Sequence, residues 1–100
     1  MIARVSAVQG DPGRTGTPDA MTFLERAVPA VKQQPGFEGI YLLADRKTGE
    51  HLAITLWDTE QHAEAMAAQS HLIQLREEAG RQVGAAASPP GKNYEVILHA

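Results

Sequence analysis

The sequence contains no cysteine among its 100 residues. That absence excludes disulfide bonds, thiolate metal ligands and a thiol nucleophile. A small domain without disulfides is typical of a reducing compartment, so we expect a cytoplasmic protein. No apolar run approaches the ~20 residues that a membrane-spanning helix needs, and residues 1–5 lack the charged-then-apolar pattern of an export signal. We therefore expect a soluble chain with no membrane partner.

Positive charge is also scarce, with 9 Lys and Arg against 12 Asp and Glu and a formal net charge of −3. Proteins that bind nucleic acid usually carry a basic excess on one face, so we expect no nucleic-acid partner. His62 and His71 are nine residues apart, unlike the i, i+4 pairs of zinc-binding helices. A zinc or di-iron site would need three or four convergent ligands. The sequence indicates no metal and no other cofactor.

Hydrophobic residues make up 43% of the sequence, which is typical of a globular protein. The length fits one domain spanning residues 1–100. Apolar periodicity and turn residues predict the order β-α-β-β-α-β. The predicted strands are residues 2–8, 37–44, 51–57 and 94–99, and a linker at Gly84 and residues 88–91 precedes the last of them.

Local signals set the predicted helix ends. Thr17-Pro18 is a hydroxyl N-cap followed by proline at the first helical position, and Gln34-Pro35-Gly36 stops that first helix. Pro29 lies inside it and predicts a kink. Asp58 is the predicted cap of the second helical segment, with Gln61 in the position of a capping box. Ser70 is the predicted cap of its continuation.

This element order predicts an α+β, ferredoxin-like fold, in which a four-stranded antiparallel sheet carries both helical segments on one face. If Asp45 pairs with Glu50, then Ala44 lies opposite His51 and the strand alternation fixes two sets of side chains. One set, facing the helices, is Ile40, Leu42, Ala44, His51, Ala53, Thr55 and Trp57. The other set is Tyr41, Leu43, Leu52, Ile54 and Leu56. Both sets are largely apolar, as in strands buried on two sides.

The second set has no element of this chain to cover it. Covering several large aliphatic side chains is worth on the order of 5–10 kcal/mol, which is comparable with the whole stability of a small domain. A second copy of the chain could cover the set symmetrically. The sequence therefore predicts a homodimer with the sheets face to face.

The few aromatic and sulfur-containing side chains leave two interpretations open. Trp57 either closes the end of the core or lines a pocket between sheet and helices with its indole N–H offered to a ligand. Phe23 and Met66 lie on helix faces that point at the same sheet surface. They are either core residues or the walls of that pocket.

Two sequence elements resemble the antibiotic biosynthesis monooxygenase-type domain. One is Gln34-Pro35-Gly36-Phe37-Glu38-Gly39 followed by Tyr41-Leu42-Leu43. The other is Thr55-Leu56-Trp57-Asp58-Thr59 before the second helical segment. The resemblance implies a dimeric α+β barrel. It also implies relatives that oxidise polycyclic phenols with O2 and without metal, flavin or haem.

The resemblance also separates two branches of that family. A haem-degrading branch uses an Asn, a Trp and a His at positions that hold Ser6, Met66 and Leu75 here, so we do not expect haem degradation. The oxygenase branch uses Asn, Trp, Tyr and Arg in its cleft. Trp57, Tyr94 and Arg4 are possible counterparts of three of these, without a residue-by-residue match.

Two functions follow as expectations. The first is a cofactor-independent monooxygenase acting on a small aromatic or polyketide-like substrate, with polar contacts from Ser6, Thr55 and Trp57. Its apolar walls would be Phe23, Ile40 and Met66, and no catalytic residue is assigned. The second is a non-catalytic or stress-related module that binds a small apolar or aromatic ligand, favoured by the shortage of acid–base residues. A purely structural role through the dimer is a third, weaker interpretation.

Overall fold

A four-stranded antiparallel sheet forms one layer of the molecule and three helices form the other. The computed structural model describes residues 1–86 and 89–100. The strands are β1 (Ile2–Gln9), β2 (Phe37–Ala44), β3 (Glu50–Trp57) and β4 (Lys92–Glu95), and the helices are α1 (Pro18–Lys32), α2 (Glu60–Ala67) and α3 (Ser70–Gln82). The order across the sheet is β2-β3-β1-β4. The predicted α+β ferredoxin-like fold is confirmed.

The β2–β3 hairpin has the predicted register. The Asp45 amide donates to the Glu50 carbonyl over 2.8 Å, and Ala44 lies opposite His51. An irregularity between Phe37 and Gly39 interrupts the far end of the pairing. It sets Phe37 opposite Trp57, and the two rings meet edge to face at a centroid distance of 5.8 Å.

The two faces of the sheet differ in what covers them. One face lies under the helices, and its side chains border cavities that α1 and α3 also line. The alternation of each strand directs the remaining side chains to the other side. We call that side the open face, and its members are Ala3, Val5, Ala7, Tyr41, Leu43, Leu52, Ile54, Leu56 and Tyr94. Tyr41, Leu43 and Tyr94 are 58%, 45% and 49% exposed there.

The first helix follows its sequence signals. The Thr17 side chain accepts a hydrogen bond from the Ala20 amide, and α1 continues through Pro29 to Lys32. The predicted kink at Pro29 stays a prediction. Below α1, a small core cluster joins Ala20 to Val83 and Ala85.

Two predicted caps are wrong. Thr59, not Asp58, is the N-cap of α2, and its side chain accepts from the His62 amide over 3.2 Å. The predicted capping box is wrong as well, because Gln61 is not three residues after Thr59. Ser70 is the first residue of α3, and the N-cap is Gln69, which makes no side-chain cap bond.

The last strand was predicted too far along the chain. β4 spans Lys92–Glu95, and Glu95 pairs with Ile2 near the start of β1. One further bond, from the Val96 amide to the Met1 carbonyl over 2.9 Å, uses the first residue of the chain. Ile97 and Leu98 lie outside β4 and are 92% and 84% exposed. Ser88, in the predicted linker, lies outside the described residues.

No helix within the described ranges has both the length and the apolar character that crossing a membrane requires.

Candidate functional site

A cleft lies between the sheet and the helices. Its main cavity, of about 150 Å³, has a floor of strand residues and a largely aliphatic roof from α1, α2 and α3. The floor consists of Arg4, Ser6, Ile40, Leu42, Ala53 and Thr55. A second cavity, of about 90 Å³, shares Ser6, Ala53 and Arg76 with the first and adds Val8 and His51. The two cavities form one cleft along the helix-covered face.

Small side chains create the space. Ala53 lies on the floor of the main cavity, and Ala27, Ala67 and Ala79 lie in its roof. Protein interiors are otherwise packed with few voids larger than a water molecule. A methyl group at each of these four positions leaves room that a leucine would fill.

Trp57 is fully buried and lines neither cavity. Its indole N–H donates to the Thr55 hydroxyl over 2.8 Å. The N–H is therefore used inside the protein, and the structure places Trp57 at the end of the core. Thr55 accepts this bond, so its own hydroxyl hydrogen must point elsewhere. Thr55 also lines the main cavity, which makes its hydroxyl a candidate donor to a ligand.

The structure brings four of the six predicted site residues together. Ser6, Ile40, Thr55 and Met66 line the main cavity. Phe23 and Trp57 line neither cavity. Phe23 is half-buried on α1, and the helix turns about 100° between it and the cleft-lining Leu24.

Arg4 is held in place by a polar network at the edge of the cleft. Its Nη1 donates to Asn93 Oδ1 over 2.8 Å and lies 3.9 Å from Glu64 Oε1. Asn93 in turn donates to Glu64 over 2.7 Å. Gly91 packs against the same site, since a Cβ there would lie 2.7 Å from Ser6 Oγ. Tyr94 lies on the open face, opposite the cleft.

Two polar cleft residues, Arg76 and His51, were not among the predicted site residues, although the strand alternation had placed His51 on the helix-covered face. Arg76 lines both cavities, and its Nε is buried without a hydrogen-bond partner. The signal was present, because Arg76 is four residues after Leu72 and three before Ala79 on one helix face. The second is His51, which lines the second cavity.

The His51 ring has a defined tautomer when it is neutral. Its Nδ1 lies 2.8 Å from the Gly49 carbonyl oxygen. A carbonyl can only accept, so Nδ1 must carry the hydrogen. The neutral ring then has its lone pair on Nε2, which makes His51 a candidate proton acceptor.

The two sequence elements that resemble the monooxygenase-type domain meet each other in space. Phe37 packs on Trp57, and the Asp58 amide donates to the Gly36 carbonyl over 3.0 Å. Gly36 has a φ of +80°, and a Cβ there would collide with the Asp58 carboxylate and the His62 ring. We call this contact between residues 35–37 and 57–59 the signature corner.

An exposed hydrogen bond between His62 and Asp58 completes the signature corner. His62 Nδ1 lies 2.6 Å from Asp58 Oδ1. The hydrogen bond from His62 is the main reason that the pKa of the Asp58 carboxyl lies below its ordinary value. Both side chains are more than a third exposed, so solvent screens the pair. The corner lies outside the residues that line the cleft.

No protein-family model matches the sequence, and no curated protein matches it either. Solved structures do match it. An antibiotic biosynthesis monooxygenase is 14% identical, with a TM-score of 0.71 over 98% of this chain and 100% of the other. SnoaB, a cofactor-independent oxygenase from Streptomyces nogalater, is 18% identical, with a TM-score of 0.69 over 98% and 94%.

A haem degrader has the same fold. MhuD from Mycobacterium tuberculosis, whose structure holds two haems in its active site, is 20% identical, with a TM-score of 0.74 over 100% of this chain and 99% of the other. At these identities the likenesses establish the fold. This chain has, over its full length, the fold of the antibiotic biosynthesis monooxygenase structures, which is shared by a cofactor-independent oxygenase and a haem degrader.

The residues of the main cavity do not fit haem iron. Iron in haem proteins is held by His, Cys, Tyr or a Met that usually accompanies a His. Met66 is the sole member of that set among the residues that line the main cavity, and His51 lines the second cavity. In residues 1–86 and 89–100, no three His, Asp or Glu side chains gather as metal ligands. That this chain does not degrade haem stays a prediction.

Proposed function

We propose that the chain is a cofactor-independent monooxygenase that oxidises a small aromatic or polyketide-like substrate in the cleft. The observation that carries the proposal is the cavity itself, an apolar space with a few polar groups converging on it, which is typical of small-molecule sites. The shared fold with SnoaB is consistent with this chemistry.

The reaction needs no external reductant. In an anthrone, for example, the methylene carbon loses two hydrogens and gains one atom of O2 as a carbonyl, and the second oxygen atom leaves as water. The substrate supplies the electrons once it has lost a proton. The protein's part is to exclude water, accept that proton and stabilise the negative charge. His51 is the candidate acceptor, and Ser6 and Thr55 are candidate donors.

Oxygen uptake tests the proposal. Metal-free protein mixed with a panel of anthrones is expected to consume one O2 per quinone formed. Ala53→Leu fills the floor of both cavities and should abolish the uptake. Ala65→Leu makes the same change at an exposed position of α2 and should leave it intact. Equal O2 uptake by both variants, or no O2 uptake by the natural chain, contradicts the proposed monooxygenase function.

A second candidate function is a module that binds such a molecule without turnover. It is favoured by the main cavity, whose polar members are the two arginines and the two hydroxyls of Ser6 and Thr55, with no carboxylate or imidazole. The candidate acceptor His51 lines the second cavity. A binder would retain affinity for anthrones in titrations and consume no O2.

We further propose that a second copy of the chain covers the open face. Tyr41, Leu43 and Tyr94 leave about half of their surfaces exposed there, and contiguous apolar patches of this kind mark interaction sites. The test is sedimentation at micromolar concentration. Leu43→Glu should give the 10.8 kDa monomer, whereas Met21→Glu, at a similarly exposed residue of α1, should leave the dimer. A natural chain that is monomeric and well folded contradicts the dimer.

A further inference from the structure

Arg76 is a charged side chain without a charged partner. Its Nε is buried and has no hydrogen-bond partner, and no hydrogen bond or ion pair of its side chain occurs among residues 1–86 and 89–100. A guanidinium stays charged in proteins, because its pKa exceeds ~12. Arg76 as a whole is half-buried. A buried polar atom such as its Nε is costly without an acceptor, so such atoms are normally paired.

The other arginine of the cleft is compensated. Arg4 donates to Asn93 and lies near the Glu64 carboxylate, so its charge is balanced within the fold. The residues that line the two cavities include no Asp or Glu, although the whole chain has a net charge of −3. The cleft is therefore a positive site in a negative protein, and Arg76 is its uncompensated charge.

We infer that Arg76 binds an anionic group of the ligand, and that the ligand class is an apolar molecule carrying one carboxylate, phenolate or enolate. The inference deepens the proposed function, since it rests on the cleft holding a small ligand. The aliphatic roof takes the apolar body, and Arg76 can offer two parallel N–H groups to an anionic oxygen pair. In the oxygenase reaction the same contact stabilises the deprotonated substrate that reduces O2.

A pair of fluorescent probes separates charge from hydrophobicity. 1-Anilinonaphthalene-8-sulfonate is an aromatic anion, and N-phenyl-1-naphthylamine is the same scaffold without the charge. We expect Arg76→Met to weaken sulfonate binding about 10-fold or more, the usual effect of losing a hydrogen bond to a charged group. Binding of the neutral probe should change less than about twofold, since the apolar contacts remain.

Two further variants control the result. Arg76→Lys keeps the charge and should recover a large part of the sulfonate affinity. Arg81→Met removes the same charge from the exposed side of α3, where Arg81 pairs with Glu78, and should change neither probe. Equal weakening of both probes by Arg76→Met, or no weakening of the sulfonate, overturns the inference.

The ligand-free protein provides an independent readout. Because Arg76 has no partner to lose, Arg76→Met should leave the thermal midpoint unchanged or raise it. A purely structural arginine would lower the midpoint on removal. A fall larger than that of Arg81→Met therefore contradicts a ligand-binding role.

A third probe distinguishes the source of the anion. If the cleft ionises phenols, 4-nitrophenol should turn to its coloured phenolate at a lower pH when bound, and Arg76→Met should abolish that shift. If Arg76→Met weakens sulfonate binding but 4-nitrophenol shows no such shift, the natural ligand is an anion that is already ionised in solution, such as a carboxylate. These measurements need no turnover, so a failure to consume O2 would overturn the oxygenase and leave the anion site standing.

Discussion

The hydrogen bond between Trp57 and Thr55 gives a prediction whose magnitude follows from the structure. Trp57 is fully buried, and its N–H reaches the Thr55 hydroxyl over 2.8 Å. Thr55→Val keeps the shape of the side chain and removes the acceptor. A buried donor left without a partner costs about 1–3 kcal/mol, and for a domain of this size each kcal/mol lowers the midpoint by about 4–8 °C. We expect the midpoint to fall by roughly 4–24 °C.

The assay is built into the chain, because Trp57 is its single tryptophan. Thermal unfolding followed by tryptophan fluorescence measures this midpoint and reports on the residue that loses its partner. The protein concentration must be the same for each variant, since association would change the apparent stability.

Thr55→Ser is the matched control. It retains the hydroxyl oxygen that accepts the indole N–H and loses one methyl group, so its cost should be about 1 kcal/mol. The reasoning is refuted if Thr55→Val is as stable as the natural chain, or if serine costs more than valine.

Three more predictions concern the signature corner and the cleft. Gly36→Ala should destabilise by about 1–3 kcal/mol, because its positive φ and the crowding by Asp58 and His62 both oppose a Cβ; urea unfolding measures the loss, and a neutral result contradicts the close approach. The lowered pKa of Asp58 means that its ionised form stabilises the fold above its unfolded pKa. That stability is lost as pH falls below about 4, so the gap between the natural chain and Asp58→Asn should close in acid; a constant gap contradicts the linkage. If His51 accepts the proton, His51→Gln should slow oxygen uptake about 100-fold or more without changing sulfonate binding, and an unchanged rate removes the assignment.

The sheet could be predicted from the sequence because side chains alternate between the two faces of a strand, and one hairpin register settles which residues share a face. The Asp45–Glu50 turn fixed the hairpin register, and that register placed Ile40 and Thr55 on the cleft floor. The end of β4 could not be predicted locally. It depends on which residues of β1 lie beside the strand, since Glu95 pairs with Ile2, and that is a property of the partner strand.

The errors in the site have physical causes. Asp58 and Thr59 are both good caps. The Asp58 side chain bonds His62 four residues further on and leaves the cap to Thr59. Arg76 was missed because a charged residue in a helix is usually solvated. Its inward position is visible only when the helix face is followed from Leu72 to Ala79.

The signature corner has a consequence for engineering this chain. Residues 35–37 and 57–59 contact each other just before the start of α2, while the side chains that we propose for ligand binding lie on the cleft floor and roof. Libraries that vary Ser6, Leu42, Met66 and Arg76 can therefore alter which ligands the cavity accepts without changing the residues of the signature corner. A sequence search guided by the signature corner alone would collect proteins that share the fold and bind unrelated ligands.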